Sequence, residues 1–379
     1  MKLTTAGESH GKALVAIIEG LPAHLKIGAE EINAALALRQ KGFGRGARQN
    51  IEKDEVEILS GVRDGETLGS PVTLCIYNKD FANWEKAMSA AACDEEAMAA
   101  KRLTKVRPGH ADLAGMLKFA QTDARNILER ASARETAIRV AAGEVYRRYL
   151  AEIGVEIAGY VYEVCGVKDG GMYAFNQLSA AKTTPLGMLN ETLEKQAIEK
   201  ITALKSAGDT AGGGVEIRVK GLKSGFGSAM SYAEKLDGQL AQGLMSIQGV
   251  KGVEIGAGFS VAEKSGKEIH DEIFYEEGRG FYRNTNRAGG IEGGMSNGEE
   301  VVLRVAMKPI PTLMNGLQTV DFADKSAAVA AAERSDTCAI FALEVIAEAV
   351  VAEVLANAVA KRLGGDTTSE VKERYNKLP

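Results

Sequence analysis

The stretch Gly212-Gly213-Gly214-Val215-Glu216-Ile217-Arg218-Val219-Lys220 decides the fold class. After the glycines, apolar residues alternate with charged ones, which is the two-residue period of a half-exposed β-strand. The tetrapeptide Gly-Val-Glu-Ile returns at residues 252–255, and an amphipathic segment at 233–244 separates the two copies. This spacing hints at a repeated strand-helix unit.

Outward from this stretch, the chain divides into short strands joined by turns and long, separate helices. The apolar periodicity predicts strands at 12–19, 56–62, 72–76, 153–164 and 301–307, and helices at 30–38, 111–150, 189–204 and 339–363. The second and third strands should form an antiparallel hairpin. Within 111–150, Ser132 is the expected interruption, and two helices meeting near residue 124 fit as well as one. The pattern favours an α+β layered architecture over regular βαβ alternation.

Composition limits the classes of function. A chain of 379 residues with 45% hydrophobic residues can bury a large core, and no Pro-rich or Ser-rich linker divides it, so we expect one domain over 1–379. A net charge of -5 argues against binding to nucleic acid or to a membrane surface. The four cysteines are widely spaced, which predicts neither a metal site nor disulfides and favours a cytoplasmic location. We find no apolar signal segment and expect no membrane span.

The segment from Arg107 to Thr136 holds the densest set of chemically capable residues. It opens Arg107-Pro108-Gly109-His110-Ala111-Asp112, and the Pro-Gly turn places His110 near a helix N-terminus, where backbone N–H groups favour anions. Residues 101–150 contain eleven Lys and Arg against five Asp and Glu, a local charge of +6. Such a run can be a solvated basic face. The interleaved Gly, Ser and Ala favour an anion site instead.

Common nucleotide and metal motifs do not fit. Residues 7–12 resemble a phosphate-binding loop, but only three residues separate the glycines and Ala13 stands where Ser or Thr should hold magnesium. No Gly-x-Gly-x-x-Gly follows a strand, and His-Glu-x-x-His does not occur. Classical kinase, dehydrogenase and metalloprotease functions therefore lose support.

Histidines and arginines in glycine-rich surroundings remain as candidates. His10 and His110 could act as general acids or bases, because an unperturbed histidine has a pKa of about 6.5. His24 and His270 look like surface residues. Six arginines are too many for one carboxylate and suit a ligand with phosphate and carboxylate groups, although each could be solvated or paired with Asp or Glu: Arg39, Arg45, Arg48, Arg107, Arg134 and Arg334.

Two further segments carry possible site residues. The glycine-rich polar run at 282–298 could wrap a flat phosphorylated cofactor with backbone groups. Residues 334–338, Arg-Ser-Asp-Thr-Cys, precede the last helix, and Asp336 fits an N-cap there. Long flexible loops are expected at about 39–50, 80–106 and 281–298.

Taken together, these motifs resemble the chorismate synthase family. The likeness covers nearly the whole chain and rests on segments in the family's order: 7–22, 39–48, 107–112, 129–136, 208–213, 282–298, 308–312 and 334–338. It implies a β-α-β sandwich, with helices between two antiparallel sheets, assembled as a homotetramer. It also implies conversion of 5-enolpyruvylshikimate 3-phosphate to chorismate and phosphate by anti-1,4-elimination, with reduced FMN and no net redox change.

The resemblance also assigns roles. His110 would donate a proton to the leaving phosphate, His10 would keep the flavin monoanionic, and Asp336 would help take the proton at flavin N5. Substrate anions would be held by Arg39, Arg48, Arg107 and Arg134, with Arg45 and Ser9 nearby. Flavin-binding positions would be Arg130, Ala131, Ser132, Gln248, Gly249, Gly293, Lys308, Pro309, Ile310, Pro311, Thr312 and Arg334.

The chain departs from the family at two places. It has Gln248-Gly249 where many relatives have Asn-Ala, and Phe341 and Glu344 where relatives often have proline and glycine. The absence of a dinucleotide fingerprint leads us to expect that it does not reduce its own flavin with NADPH. Two alternatives have weaker support: a kinase-like binder of another phosphorylated metabolite lacks a magnesium motif, and a glycine-rich RNA-binding module lacks positive charge and aromatic platforms.

Overall fold

The computed structural model describes residues 1–46, 53–331, 333 and 335–379. Its strands, in chain order, are β1 (Lys2–Ala6), β2 (Ala13–Glu19), β3 (Glu57–Ser60), β4 (Val62–Arg63), β5 (Glu66–Thr67), β6 (Val72–Tyr77), β7 (Glu156–Val164), β8 (Val167–Lys168), β9 (Gly213–Lys220), β10 (Val250–Ile255), β11 (Ile273–Glu276), β12 (Gly280–Arg283), β13 (Ile291–Glu292), β14 (Met295–Ser296), β15 (Val301–Met307), β16 (Gln318–Val320) and β17 (Ala327–Val329).

The α-helices are α1 (Ala29–Gln40), α2 (Glu85–Met88), α3 (Glu95–Lys101), α4 (Asp112–Lys118), α5 (Arg125–Ala131), α6 (Thr136–Ala151), α7 (Glu191–Ser206), α8 (Leu236–Met245), α9 (Gly266–Ile269), α10 (Ile340–Leu363) and α11 (Thr368–Asn376). Short 3-10 helices cover Lys79–Asn83, Ala133–Glu135, Phe175–Thr183, Tyr232–Glu234 and Gly258–Glu263. Among the described residues, no helix combines the length and the apolar character that a membrane crossing requires.

Two antiparallel sheets form the outer layers of the fold. The first has four strands in the order β1-β2-β6-β3, and the second has five in the order β10-β15-β9-β7-β8. Helix α6 packs against the first sheet, α10 packs against the second, and the two helices pack against each other. The structure is therefore a β-α-β sandwich, and the expected fold is confirmed.

The contact between α6 and α10 is close because small residues line it. A Cβ placed on Gly143 would lie 2.3 Å from Cβ of Ala349, so a larger residue at 143 would push the helices apart. One continuous cluster of buried apolar residues extends from Leu14 and Ile76 in the first sheet to Ile217 and Leu303 in the second. Both sheets and the central helices thus share a single core.

The two Gly-Val-Glu-Ile copies lie on either side of β15 in the same register. Gly214 and Gly252 both pair with Ala306, and Ile217 and Ile255 both pair with Leu303. Since β9 and β10 each run antiparallel to β15, they are parallel to each other, with α8 between them in the chain. The shared register fits the repetition that the sequence hinted at.

Most predicted elements occur where the periodicity placed them, including the antiparallel pairing of the segments at 56–62 and 72–76. The helical region predicted over 111–150 is divided into α4, α5 and α6, with breaks at 119–124 and at Ser132, so the expected interruption at Ser132 and the alternative of separate helices meeting near residue 124 are both confirmed. The N-cap prediction for Asp336 is wrong: α10 begins at Ile340, and the cap position is Ala339 without a side-chain hydrogen bond. The segments at 80–106 and 281–298 contain short helices and strands, and their flexibility stays a prediction.

Candidate active site

His10 lies in the turn between β1 and β2 and is held by Glu129 of α5. The carboxylate accepts hydrogen bonds from the His10 backbone N–H (2.7 Å) and from Nδ1 (2.9 Å). Because the carboxylate accepts at Nδ1, the proton of a neutral His10 sits there and Nε2 remains available to a ligand. Burial alone would raise the pKa of Glu129, but hydrogen bonds and charge from His10, with Arg125, hold it below its usual value.

Ser9 joins the same turn to the end of α5. Its N–H donates to the Glu129 carbonyl at 2.9 Å, and its hydroxyl accepts from Ser132 Oγ at 3.3 Å. Ser132 is also the cap of the following 3-10 helix, where its hydroxyl accepts from the Arg134 N–H at 3.2 Å. The break at Ser132 therefore brings Ser9 and the 130–134 segment together.

His110 stands two residues before α4, beside Arg107 and Asp112. Arg107 makes a two-point ion pair with Asp112, with Nε to Oδ2 at 2.8 Å and Nη2 to Oδ1 at 3.0 Å. Nδ1 of His110 lies 2.5 Å from Asp112 Oδ1, so this nitrogen carries the hydrogen and donates it. Burial alone would raise the pKa of Asp112. The hydrogen bonds from His110 and Arg107 outweigh burial and hold the pKa of this carboxyl well below its usual range.

Glu333 links the His110 group to the His10 group. Its carboxylate lies 2.7 Å from Nη2 of Arg125 and 3.7 Å from Nη1 of Arg107. Arg125 in turn donates to Glu129 Oε1 at 3.3 Å. Two histidines separated by a hundred residues in sequence therefore belong to one network of charges.

Arg39 and Arg134 share one buried carboxylate, that of Asp54. Arg134 Nη1 lies 2.5 Å from Asp54 Oδ1, and Arg39 Nη1 lies 3.5 Å from Oδ2. Thr136 and Asn78 accept further hydrogen bonds, from Arg39 Nε and Arg134 Nε respectively, at 3.0 Å. Burial lowers the pKa of Arg39 to about 9, which still leaves the guanidinium charged at neutral pH, while Asp54 opposes the shift.

Asp336 pairs with Arg45 rather than capping a helix. Its Oδ2 lies 3.2 Å from Arg45 Nε, and its Oδ1 accepts from the Gly46 N–H at 2.6 Å. The adjacent strand-like contact, in which Thr337 N–H donates to Gly44 O at 2.8 Å, fixes the two segments side by side. Arg45 and Asp336 also lie close enough to Arg39 to act on its pKa, which Arg45 lowers and Asp336 raises.

The proposed flavin residues form a second connected group around Glu135. Arg130 Nη2 lies 3.8 Å from Glu135 Oε1, and Gln248 Nε2 donates to Oε2 at 3.3 Å. Gly249 accepts a hydrogen bond from Lys308 N–H at 3.0 Å, and Lys308 Nζ donates to the carbonyl of Gly109. This chain of contacts ends at the turn that carries His110.

The segment 308–312 completes that connection. Thr312 Oγ1 accepts from Arg107 Nη1 at 3.2 Å, and the Ile310 carbonyl accepts from Thr210 Oγ1 at 2.8 Å. Gly212 lies so close to Pro309 that an added Cβ would come within 2.9 Å of its nitrogen. Burial, helped by Lys251, lowers the pKa of Lys308.

Some predicted site residues are not brought together. Gly293 lies in the β13–β14 turn, near the Val301 end of β15, whereas Lys308 follows the other end, roughly 20 Å away at the usual rise per residue. No contact of the described chain joins Gly293 to the other proposed flavin residues. Ala131 ends α5 beside Ser132, and Arg48 and Arg334 lie outside the described residues.

Several residues of this network were given no role from the sequence, although Asp112, Glu129 and Glu135 lie in the segments that carry the resemblance: Asp54, Trp84, Asp112, Arg125, Glu129, Glu135 and Glu333. Acidic residues that pair with site arginines are recognised only when the folded contacts are known. Trp84 lies on the segment before α2, and its ring stacks on His10 with centroids 3.9 Å apart. Trp84 is the only tryptophan in the sequence, but the residues around it give no indication that it contacts His10.

Comparison with known proteins decides which family combines these features. The family model described as chorismate synthase matches residues 1–360. The chain belongs to the chorismate synthase family. A chorismate synthase of Geobacter sulfurreducens is 51% identical over 99% of this chain and 97% of its own length, and one of Caldicellulosiruptor bescii is 49% identical over 100% and 99%.

A solved crystal structure of chorismate synthase extends the match to three dimensions. It is 37% identical, with a TM-score of 0.78 over 99% of this chain and 96% of its own. The α+β architecture of this chain therefore matches that of a solved chorismate synthase along nearly its whole length. Members of the family are lyases of the shikimate pathway.

Proposed function

We propose that this chorismate synthase family member converts 5-enolpyruvylshikimate 3-phosphate to chorismate and phosphate by anti-1,4-elimination, using the residues described above. The family match supports the reaction. The observation that supports the residue roles is the joining of Arg107, His110 and Thr312 with the Ser9–His10 turn through Glu333 and Arg125. These segments are far apart in sequence and meet at one place.

The substrate carries one phosphate and two carboxylates, and the site supplies cations to match them. Arg39 and Arg134 both contact the carboxylate of Asp54, which places two guanidiniums side by side at the proposed substrate site. Arg107 adds a guanidinium whose orientation is fixed by two bonds to Asp112. Arg45 and Arg48 are proposed to complete the substrate contacts with Ser9, and Arg48 is a prediction from sequence alone.

His110 is proposed as the general acid. Asp112 accepts from Nδ1, and Nε2, which lies 3.5 Å from Arg107 Nη2, is the nitrogen proposed to meet the leaving phosphate. Arg107, with Nη2 3.1 Å from the ring, would attract the leaving phosphate to the same position. Proton donation from Nε2 to a phosphate oxygen neutralises charge that develops as the C3–O bond breaks.

Reduced FMN is the proposed cofactor, and the chain offers groups that suit it. Oε1 of Gln248 is buried and, within the described residues, makes no hydrogen bond, so it is free to accept one from a flavin N–H. Two residues of this group are positively charged: Arg130 lies beside Glu135, and Lys308 is hydrogen-bonded to Gly249. The other proposed contacts are Ala131, Ser132, residues 309–312, Gly293 and Arg334.

When bound at these residues, reduced FMN would lend an electron to the elimination and recover it, so that no net redox change would result. His10, fixed by Glu129, would favour the monoanionic flavin through its free Nε2. Asp336 would accept the proton at flavin N5, and its ion pair with Arg45 fixes the position of the carboxylate. We further propose that the protein is a cytoplasmic homotetramer. It would receive reduced flavin from an external source and would not oxidise NADPH itself.

An anaerobic assay tests the proposed reaction. The protein is mixed with chemically reduced FMN and 5-enolpyruvylshikimate 3-phosphate, and phosphate release and chorismate absorbance are followed together. We expect equimolar phosphate and chorismate. Failure to form product while the flavin stays reduced would overturn the proposal, and turnover sustained by NADPH with oxidised FMN would overturn the part that concerns flavin reduction.

A further inference from the structure

Trp84 contacts His10 through a face-to-face arrangement that the proposed reaction does not explain. The ring centroids are 3.9 Å apart and the planes differ by 25°. Glu129 binds the same imidazole at its edge, through Nδ1 at 2.9 Å. A stack on the face and a hydrogen bond at the edge restrict both the tilt and the rotation of the ring.

The tryptophan is itself held in place. Its Nε1 donates to Asp80 Oδ2 at 3.1 Å. The Lys101 ammonium lies 4.2 Å from the indole centroid, and the Arg125 guanidinium lies 5.0 Å from it, both within cation–π range. Arg125 also donates to the Lys101 carbonyl through Nε and Nη2, each at 3.1 Å. The indole therefore has a defined position rather than a loose surface contact.

These contacts close a ring of interactions around the imidazole. Arg125 touches Trp84 and also donates to Glu129, which in turn binds His10. The charged groups that face this arrangement are Glu129, Arg125, Lys101 and, beyond Arg125, Glu333. His10 is thus positioned by residues from the 3-10 helix at 79–83, from α3 and from α5.

We propose that Trp84 is a positioning residue for His10, which sets the orientation of the imidazole so that Nε2 faces the bound ligands. This inference rests on the role proposed for His10. Loss of the indole would leave Glu129 as the main restraint and would let the ring tilt about that bond. A displacement of about 1 Å in a group of this kind can lower turnover by about 10²-fold.

The single tryptophan makes the contact directly measurable. Trp84 is the only indole in the chain, so intrinsic emission excited near its absorption edge reports on this site alone. An imidazole in stacking contact quenches indole emission. We expect the emission of the ligand-free protein, measured at one fixed pH, to be stronger in His10→Asn than in the wild type, because the variant removes the stacked ring.

Activity variants separate positioning from general stability. Trp84→Phe keeps an aromatic face and should retain turnover within about threefold, whereas Trp84→Ala should lower kcat by about 10²-fold with a smaller change in KM and an altered pH profile of kcat. Met98→Ala is the matched control, since Met98 lies on α3 of the same region and is exposed. It should behave as wild type.

Two results would overturn the inference. One is emission that is the same in His10→Asn and in the wild type, which would show that the imidazole does not contact the indole. The other is a folded Trp84→Ala protein with wild-type turnover and pH profile. Should Trp84→Ala not fold, the emission comparison still decides. Because that comparison needs no substrate, it distinguishes failure of this inference from failure of the proposed reaction.

Discussion

Two buried groups of charges in this protein look alike and differ in what they do. The pocket cluster consists of Arg39, Arg134 and Asp54, at the first sheet. The core cluster consists of Lys182, Glu344, Glu348 and Arg147, where α10 meets α6 and the 3-10 helix at 175–183. Both contain nearly inaccessible carboxylates and both are bound by several hydrogen bonds.

The charges of the core cluster are paired within the chain. Lys182 Nζ lies 3.0 Å from Glu348 Oε1 and also pairs with Glu344, while Arg147 Nη1 donates to Glu348 Oε2 at 2.8 Å. Two cations face two carboxyl groups, so the formal charges sum to zero when both carboxyl groups are ionised and to +1 when Glu344 is protonated. Burial, together with the charge of Glu348, raises the pKa of Glu344 to about 8.

In the pocket cluster, two guanidiniums contact one carboxylate, and Arg134 links the group to the Ser9–His10 turn through Ser132 and Asn78. The comparison teaches that burial of charge does not by itself mark a functional site. The two clusters differ in their distance from groups able to transfer protons, and substitutions in them should therefore affect different properties.

The largest expected effect is on stability, from Lys182→Met in the core cluster. Removing the ammonium leaves two buried carboxylates facing each other, and loss of one partner of a buried pair typically costs about 3–5 kcal/mol. Chemical denaturation should show a reduced free energy of unfolding, with near-normal kcat in the folded protein. Lys195→Met removes an exposed helical pair with Glu191 and should change stability by less than about 0.5 kcal/mol. Equal effects of the two changes would contradict the distinction.

The next effect is on catalysis, from His110→Ala. Loss of a positioned general acid should lower kcat by at least about 10²-fold, while KM and the unfolding midpoint change little. Single-turnover phosphate release under anaerobic conditions measures the step directly. His24→Ala is the control, because His24 is exposed and pairs only with Glu66, and it should leave turnover unchanged. Wild-type turnover in His110→Ala would remove the general-acid role.

Much of the fold could be predicted because burial is periodic. The alternation of Val301 to Met307 coincides with β15, and the apolar run after Ala339 coincides with α10 to within one residue. The layering could not be worked out in this way, since the packing of α6 on α10 depends on contacts between residues such as Gly143 and Ala349, about two hundred positions apart. The resemblance to a known family supplied that part.

The sequence pointed to the basic residues of the candidate site but not to the acidic residues that pair with them. His10, His110 and Arg107 stand out because glycines and small polar residues surround them. Asp54, Glu129 and the other acidic residues do not stand out in the sequence. A carboxylate can be assigned to the site only when its arginine or histidine partner in the folded chain is known. The Asp336 cap failed for a related reason: three residues after Asp336 continue in extended or irregular form, paired with Gly44, before α10 starts.

A smaller catalytic effect should follow from Asp54→Asn in the pocket cluster. Without the shared negative charge, Arg39 and Arg134 repel each other and lose their common orientation, so KM for the substrate should rise roughly tenfold or more while kcat falls less. Glu55→Gln changes the adjacent, exposed carboxylate, which lies 3.9 Å from Lys79, and serves as the matched control. An unchanged KM in Asp54→Asn would mean that the two arginines do not act together on substrate.

The smallest effect concerns the pH dependence of stability, through Glu344. Its folded-state pKa of about 8 exceeds the ordinary value of 4.5, so between these two values the folded state holds a proton that the unfolded state has released. Stability attributable to this group must therefore fall as pH rises from about 4.5 to 8, by at most about 1.4 kcal/mol per pH unit, and then level off. The pKa of Glu348 is lowered, so its own contribution is lost only below that window.

Glu344→Gln isolates this contribution, because it keeps the size of the side chain and removes its titration. Unfolding free energies measured at pH 5, 6, 7 and 8 should decline less steeply in the variant than in the wild type, whereas Glu373→Gln, at an exposed pair with Lys377, should follow the wild-type slope. Other buried carboxyls with raised pKa values, such as Glu144 and Glu353, contribute equally to both proteins and cancel in the difference. Identical slopes in Glu344→Gln and wild type would show that Glu344 stays ionised in the folded protein across this range, so that the two carboxylates of the core cluster balance its two cations.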